Sequence, residues 1–195
     1  MKILCETSAR HVHLSRTHLQ VLFGIDELSP IKWLSQPGQF LSRKRVDLVT
    51  PKATIQSVAI IGPTRPQTQV ELSATDCQTL GLRDVPVRQS GDLDQTPGLT
   101  LRAGEREVTL ERGVIIAKRH VHLDPNTARE FGLTDGQVVS LRFDGERGGQ
   151  LDNTIVRVSE NSHPAAHIDT DEAHAMGTQV LDACAIVKLL PISSS

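Results

Sequence analysis

Two histidine pairs carry the chemical signal. The pentapeptide RHVHL occurs at residues 10–14 and again at 119–123, which sets His11 beside His13 and His120 beside His122. Alternate residues of an extended strand face one side. Each pair therefore presents two imidazoles together, about 6–7 Å apart at their Cα atoms, while Val12 and Val121 turn into the opposite layer. Two such imidazoles can grip one metal ion. A third donor from another stretch would complete a three-residue set with an open coordination position, the arrangement of catalytic zinc. Glu71 and His167 are the candidates for that third place, so two sites are expected. The other fate of an HxH pair is a hydrated sheet face. Duplication tells against it, because only eight of the 195 residues are histidine.

The other candidate donors rank lower. His18 and His174 fall in short helices and are expected to face solvent, and His163, before Pro164, reads as a loop residue. Cys5, Cys77 and Cys184 are far apart and without CxxC spacing, so they read as reduced thiols rather than a disulfide frame. Cys77 and Cys184 are expected as buried small hydrophobes, whereas Cys5, close to the first pair, is less easily set aside. Arg65 stands six residues before Glu71. On spacing alone it reads equally as a solvated arginine or as a guanidinium holding an anion beside the metal.

These side chains need a scaffold, and the sequence repeats one. His13-Leu14-Ser15, Glu71-Leu72-Ser73, His122-Leu123-Asp124 and His167-Ile168-Asp169 each join a ligand-type residue, an aliphatic residue and a helix-capping residue. Each is followed by a stretch closing at a glycine: Gly24, Gly81, Gly132 or Gly177. Ser and Asp accept from the first-turn N–H groups of a helix, and glycine takes the left-handed conformation that ends one. Pro125 suits a first helical position. Four strand-to-helix junctions with short helices follow, two in each half of an internal duplication. Their first turns would aim N–H groups toward an anion at the site.

Between the junctions the pattern is β. Residues 46–49, 54–61, 99–102, 108–110, 113–117, 138–143 and 153–158 are short and rich in Val, Ile, Leu and Thr. Turns are expected at Pro51-Lys52, Ala103-Gly104-Glu105 and Asp144-Gly145-Glu146. Residues 35–40 and 88–98 read as loops, and 193–195 as a frayed tail. The expected fold is mainly β with short α-helices: two small β-barrel domains capped by helices.

Composition agrees and excludes several classes. Twenty-one Lys plus Arg against 23 Asp plus Glu give a net charge of −2, with no global pull toward nucleic acid. No apolar run approaches the ~20 residues of a membrane span. The start, MKILCETSAR, lacks the apolar core of a signal peptide. A cytoplasmic protein is expected.

In order along the chain, ETSARHVHLS, LSQPGQF, IIGPTRPQTQVELSATD, VPVRQSGDLDQTPG, IIAKRHVHLDP and AHIDTDEA resemble the PduL-type phosphotransacylases, or phosphate propanoyltransferases. The resemblance runs from about Cys5 to Gly177. It implies reversible conversion of a short-chain acyl-CoA (propanoyl-CoA or acetyl-CoA) plus inorganic phosphate to acyl phosphate plus CoA. It also implies two adjacent zinc ions between two barrels and a homodimer. The N-terminal strand would join the barrel of the C-terminal half, giving domains of residues 1–9 with 118–195 and of 10–117. Carried onto this chain, His11, His13 and Glu71 would hold one zinc, which can also take the CoA sulfur. His120, His122 and His167 would hold the other, with water or phosphate in its open positions. Arg65 falls on the family's phosphate-binding arginine, and so takes the catalytic and substrate-binding role.

Some members carry an N-terminal extension that directs them into bacterial microcompartments. Only nine residues precede RHVHL here, so a free cytosolic enzyme, or one packaged by another route, is expected. The apolar stretch 180–191 is expected to be a final strand with an interface contact. Two further readings of the histidine sets stay open. One is a dinuclear zinc thioesterase or phosphoesterase, in which the metals activate water. The other is a binding module in which zinc is structural and its coordination closed.

Overall fold

The computed structural model describes residues 2–178 and 181–188, and the expected tail at 193–195 lies outside them. All four junctions form as strands that run into capped helices. The chain starts with β1 (Lys2–Ser8), then β2 (His11–His13), α1 (Arg16–Phe23), β3 (Pro30–Trp33), β4 (Phe40–Val49) and β5 (Thr54–Gly62). β6 (Gln69–Leu72) leads into α2 (Ala74–Leu80), and β7 (Val87–Arg88), β8 (Thr100–Ala103), β9 (Arg106–Thr109) and β10 (Val114–Ala117) follow. The second RHVHL copy supplies β11 (His120–Leu123), before α3 (Pro125–Phe131), β12 (Val138–Arg142), β13 (Gln150–Val158), β14 (Ala165–Asp169), α4 (Thr170–Met176) and β15 (Leu181–Lys188).

The helices start and stop where the capping residues dictate. Ser15, Ser73, Asp124 and Asp169 are the N-caps, each accepting from a first-turn backbone N–H. Gly24, Gly81, Gly132 and Gly177 end the helices in the left-handed region, at φ 66°, 71°, 58° and 67°. In α2 and α4 the third helical residue, Asp76 or Glu172, reaches back to the cap N–H and completes a capping box.

The chain divides into two compact units. One is residues 2–8 with the described residues from Lys118 on; the other is Ala9–Ala117. The first is a closed six-stranded barrel in the order β1-β14-β11-β13-β12-β15. The second is a nine-stranded curled sheet, β7-β10-β6-β2-β5-β4-β8-β9, with β3 paired to β4. The duplication is visible in this order, since β10-β6-β2-β5-β4 repeats β1-β14-β11-β13-β12. What differs is closure. β15 pairs with both β1 and β12 and seals the barrel, whereas among the described residues no strand joins β7 to β9 in the other sheet.

Each unit has its own apolar core. Val12 and Leu14 lie in one with Leu19, Ile60, Val70 and Leu101; Val121 and Leu123 lie in the other with Leu141, Val156 and Ile168. The valine between each pair of histidines therefore anchors its strand inward and leaves the imidazoles on the opposite face. All three cysteines, Cys5 included, are buried and unbridged.

Several strands depart from the sequence expectation. The expected strand at 46–49 is the end of β4, which starts at Phe40. Its first half is hidden by Arg43, Lys44 and Arg45 and by an irregular register between Leu41 and Arg45. β3, with Pro30 at its start, and the two-residue β7 were not expected. β7 takes Arg88 out of the loop placed at 88–98. Of the apolar stretch 180–191, Leu181–Lys188 form β15; its remaining positions lie outside the described residues.

Candidate metal centres

In the curled sheet β2 lies between β5 and β6, and antiparallel pairing sets His11 opposite Glu71. His11, His13 and Glu71 are all buried and offer donor atoms within 4.8 Å of one another. His11 Nε2 is 3.5 Å from Glu71 Oε2, and His13 Nε2 is 3.7 Å from Glu71 Oε1. Two donors each 2.0–2.2 Å from a tetrahedral zinc stand about 3.4 Å apart, so these spacings suit one ion between them. The outer nitrogens fix the tautomers. His11 Nδ1 is 2.8 Å from the Ala9 carbonyl and His13 Nδ1 is 3.1 Å from that of Ile61. A carbonyl only accepts, so each Nδ1 carries the proton and the neutral ring keeps its Nε2 lone pair for the centre.

Electrostatics favour an ionised Glu71 and a neutral His13, and act in the opposite sense on His11. Burial opposes charge on Glu71, yet the adjacent His11, His13 and the Ser90 hydroxyl more than offset this and hold its carboxyl well below the usual range. Burial, together with His11 and Arg65, pushes His13 down to about 3. Burial also opposes a charged His11, but Glu71 outweighs it and raises that imidazole.

Arg65 is tied into the same centre. Its Nη1 donates to Ser90 Oγ at 2.7 Å, and Ser90 Oγ donates to Glu71 Oε1 at 2.9 Å. Gln69 Nε2 donates to both Ser90 Oγ and Glu71 Oε1, while its own Oε1 accepts from Gly91 N. The Arg65 backbone N–H donates to the Leu14 carbonyl, which pins the loop to the end of β2. His13 and Arg65 share a cavity of about 280 Å³ with Pro37, Gly38, Gln39, Gly62 and Pro63. Gly62 is there for space, since a Cβ would stand 2.4 Å from the Phe40 ring. Arg65 is therefore not a lone surface arginine: it lies beside the His11, His13 and Glu71 set, half-buried and bonded to Ser90.

In the barrel, β11 lies between β13 and β14, and His120 faces His167 across the antiparallel pair. His120 Nδ1 is 3.0 Å from the Lys118 carbonyl, repeating the His11 arrangement, and His120 Nε2 is 3.0 Å from His122 Nε2. Without a cation His122 donates this bond, and an ion held by both would use the other His122 tautomer. Burial and the charges of His120 and Arg157 push His122 down to about 3. The His167 ring stacks on His120 with centroids 5.2 Å apart, but its nitrogens turn toward β1: Nε2 is 3.2 Å from Glu6 Oε2 and Nδ1 is 3.4 Å from Ser8 Oγ. Three ring centroids thus converge within 4.7–5.2 Å of one another. Among the described residues, three donors within 4.8 Å occur only in the His11, His13 and Glu71 set.

Sequence reasoning missed several positioning residues. Arg10 pairs with Asp76 at 2.8 Å, and Arg119 pairs with Glu172. The arginine of each RHVHL copy therefore grips the capping-box carboxylate of the helix that follows the third-donor strand, fixing one strand against the other. The duplicated arginine was the available signal. Gln69 shares a strand face with Glu71 two residues on, which was its signal; Ser90 had none, because only the fold brings the 88–98 loop over Glu71. One expectation fails: His18 is half-buried, not solvent-facing, with Nδ1 2.8 Å from Thr68 Oγ1. Thr68 also accepts from the Ser15 N–H, so the first turn of α1 is docked on the entry to β6. His174 is exposed and His163 lies in a loop, as expected.

The family model for phosphate propanoyltransferase matches residues 4–179. The chain is 48% identical over 180 residues to the phosphate propanoyltransferase of Alkaliphilus metalliredigens, covering 92% of this chain and 84% of that protein. It is 43% identical over 177 residues to that of Sebaldella termitidis (90% and 83%) and 44% over 188 to that of Thermotoga maritima (95% and 89%). The chain belongs to the phosphate propanoyltransferase family, a family of phosphotransacylases, and its activity is that of a phosphate acyltransferase.

Proposed function

We propose that this chain transfers a short acyl group between coenzyme A and inorganic phosphate, with one zinc ion held by His11, His13 and Glu71 and a second by His120, His122 and His167. The observation that carries the reading is the buried His-His-Glu donor set joined through Ser90 to a guanidinium. When bound, zinc supplies Lewis acidity for the charge that develops on the thioester oxygen and on the departing sulfur.

The chain's own residues do the rest. Phosphate oxygen attacks the thioester carbonyl, the C–S bond breaks, and CoA leaves as thiolate. Arg65 neutralises the incoming dianion and orients it, offsetting its repulsion from the phosphates of CoA. Ser90 accepts from Arg65 and from Gln69, which fixes the guanidinium relative to Glu71. Ser90 does not suit the role of an acylated nucleophile. Its only carboxylate neighbour there is Glu71, whose depressed pKa makes it a weak base. No acyl-enzyme is needed, because direct transfer to phosphate accounts for the reaction.

The test combines metal analysis with product analysis. Purified protein should hold two zinc ions and form acyl phosphate, trapped as hydroxamate, in step with CoA release from acetyl-, propanoyl- or butanoyl-CoA. Acid release without acyl phosphate would make it a hydrolase, and tightly held zinc without turnover would make the metal structural.

A further inference from the structure

We propose that Glu6 is a fourth protein donor to the cation of the barrel centre, beside His120, His122 and His167. The inference rests on that centre holding a cation, as read above, and goes beyond it by assigning a ligand from β1. It starts from the duplication. Counting four residues back from the arginine of each RHVHL copy gives Glu6 in one half and Ile115 in the other. The structure makes the same pairing. β1 runs parallel to β14 with Glu6 in register with His167; β10 runs parallel to β6 with Ile115 in register with Glu71. The two halves therefore exchange residue types at two coupled positions. Where the third-donor strand carries the carboxylate Glu71, the next strand carries a fully buried isoleucine. Where it carries the imidazole of His167, the next strand carries Glu6.

Either way each centre keeps one carboxylate. With a divalent cation, two or three neutral imidazoles and one carboxylate leave a net charge of +1 in both halves. The strand register agrees with the exchange. His120, His167 and Glu6 lie in register across three adjacent strands, on the face opposite the core residues Val121 and Cys5. Glu6 Oε2 is 3.2 Å from His167 Nε2, close enough for both to bind one ion, and with four protein donors that ion would keep a fifth position for water or phosphate. A half-buried carboxylate beside His167 also has its desolvation offset by a cation.

Metal-stripped wild type, Glu6→Gln, Glu6→Ala and His120→Ala would be titrated with cobalt(II) and with zinc against a chromophoric chelator. The readouts are the two dissociation constants and the visible cobalt spectrum. Glu6→Gln keeps the shape and can still accept from His167, but it lacks the charge. Both Glu6 variants are expected to weaken the ion that His120→Ala loses by about tenfold or more, to alter its cobalt bands, and to leave the other ion in place. Wild-type affinity and spectrum in Glu6→Gln would overturn the inference and leave Glu6 as a residue that only orients His167. A wild type that takes up a single ion, or a His120→Ala variant that keeps both, would overturn the barrel centre itself and Glu6 with it. Melting curves of the stripped proteins show that each variant is folded before titration.

Discussion

The two units present the same HVH strand, yet they surround it differently. In the curled sheet the pair is buried against a carboxylate that is itself gripped by Ser90 and Gln69, with Arg65 one bond further out. In the barrel the pair is less buried, the facing residue is a third imidazole, and the carboxylate sits one strand away at Glu6. Strand pleat places two imidazoles in both. The neighbouring strands decide the third donor, which strand carries the carboxylate, and how a guanidinium is held nearby. Duplication thus supplied a scaffold for two centres, and divergence at the flanking strands made them different.

The comparison can be broken most directly at the ligands. His13→Ala and His122→Ala should each remove one zinc and lower acyl phosphate formation by about a thousandfold. If one of the two variants loses its ion but keeps turnover, that half's metal is structural and only the other works on substrate. Arg65→Ala should raise the phosphate KM by about 10- to 100-fold while both ions stay bound, in line with loss of a charge-assisted contact. Arg157→Ala, in register with His122 across the parallel β11–β13 pair, should change the phosphate KM far less. Equal effects from the two would erase the asymmetry between the halves.

Smaller effects test what the halves share. Arg10→Ala and Arg119→Ala should each cost about 1–3 kcal/mol by denaturant unfolding, because each leaves a capping-box carboxylate without its guanidinium. A cost below about 0.5 kcal/mol in either would show that the helix cap alone suffices there. The metal-free protein should lose stability as pH falls from about 6.5 toward 3. His13 and His122 are both pushed down to about 3, so across that window the unfolded chain binds more protons than the folded one. His11, raised instead, acts in the opposite sense above 6.5. A flat melting temperature over that range would mean that the imidazoles are less buried than the fold places them.

The legible parts of the sequence were those in which one residue has one local job. Ser15, Ser73, Asp124 and Asp169 with their closing glycines announced four helices, and HxH alternation announced two ligand pairs. Glu71 and His167 were legible because each precedes a cap in the same grammar as the histidine pairs. Less local features stayed hidden. Ser90 reaches Glu71 only because the sheet brings β7 and its following loop past β6. Glu6 looks like an ordinary charged strand residue until β1 is seen to pair with β14. That β15 closes the barrel depends on its pairing with β1 from the other end of the described chain, and among the described residues no strand does this for the other sheet. Charges in β4 mask a strand because its bulge breaks the alternation that pattern reading relies on.

β1 leaves the ribosome well before both of its partners, β14 and β15. During synthesis it must wait with one apolar side uncovered while every residue between Ser8 and Ala165 is made. The curled sheet, by contrast, has all its strands once Ala117 has emerged and is able to settle first. A nascent-chain experiment with stalls before and after residues 165–188 would therefore find one half protease-resistant early and the other only at the end. The order of assembly is written into which strand the barrel borrows.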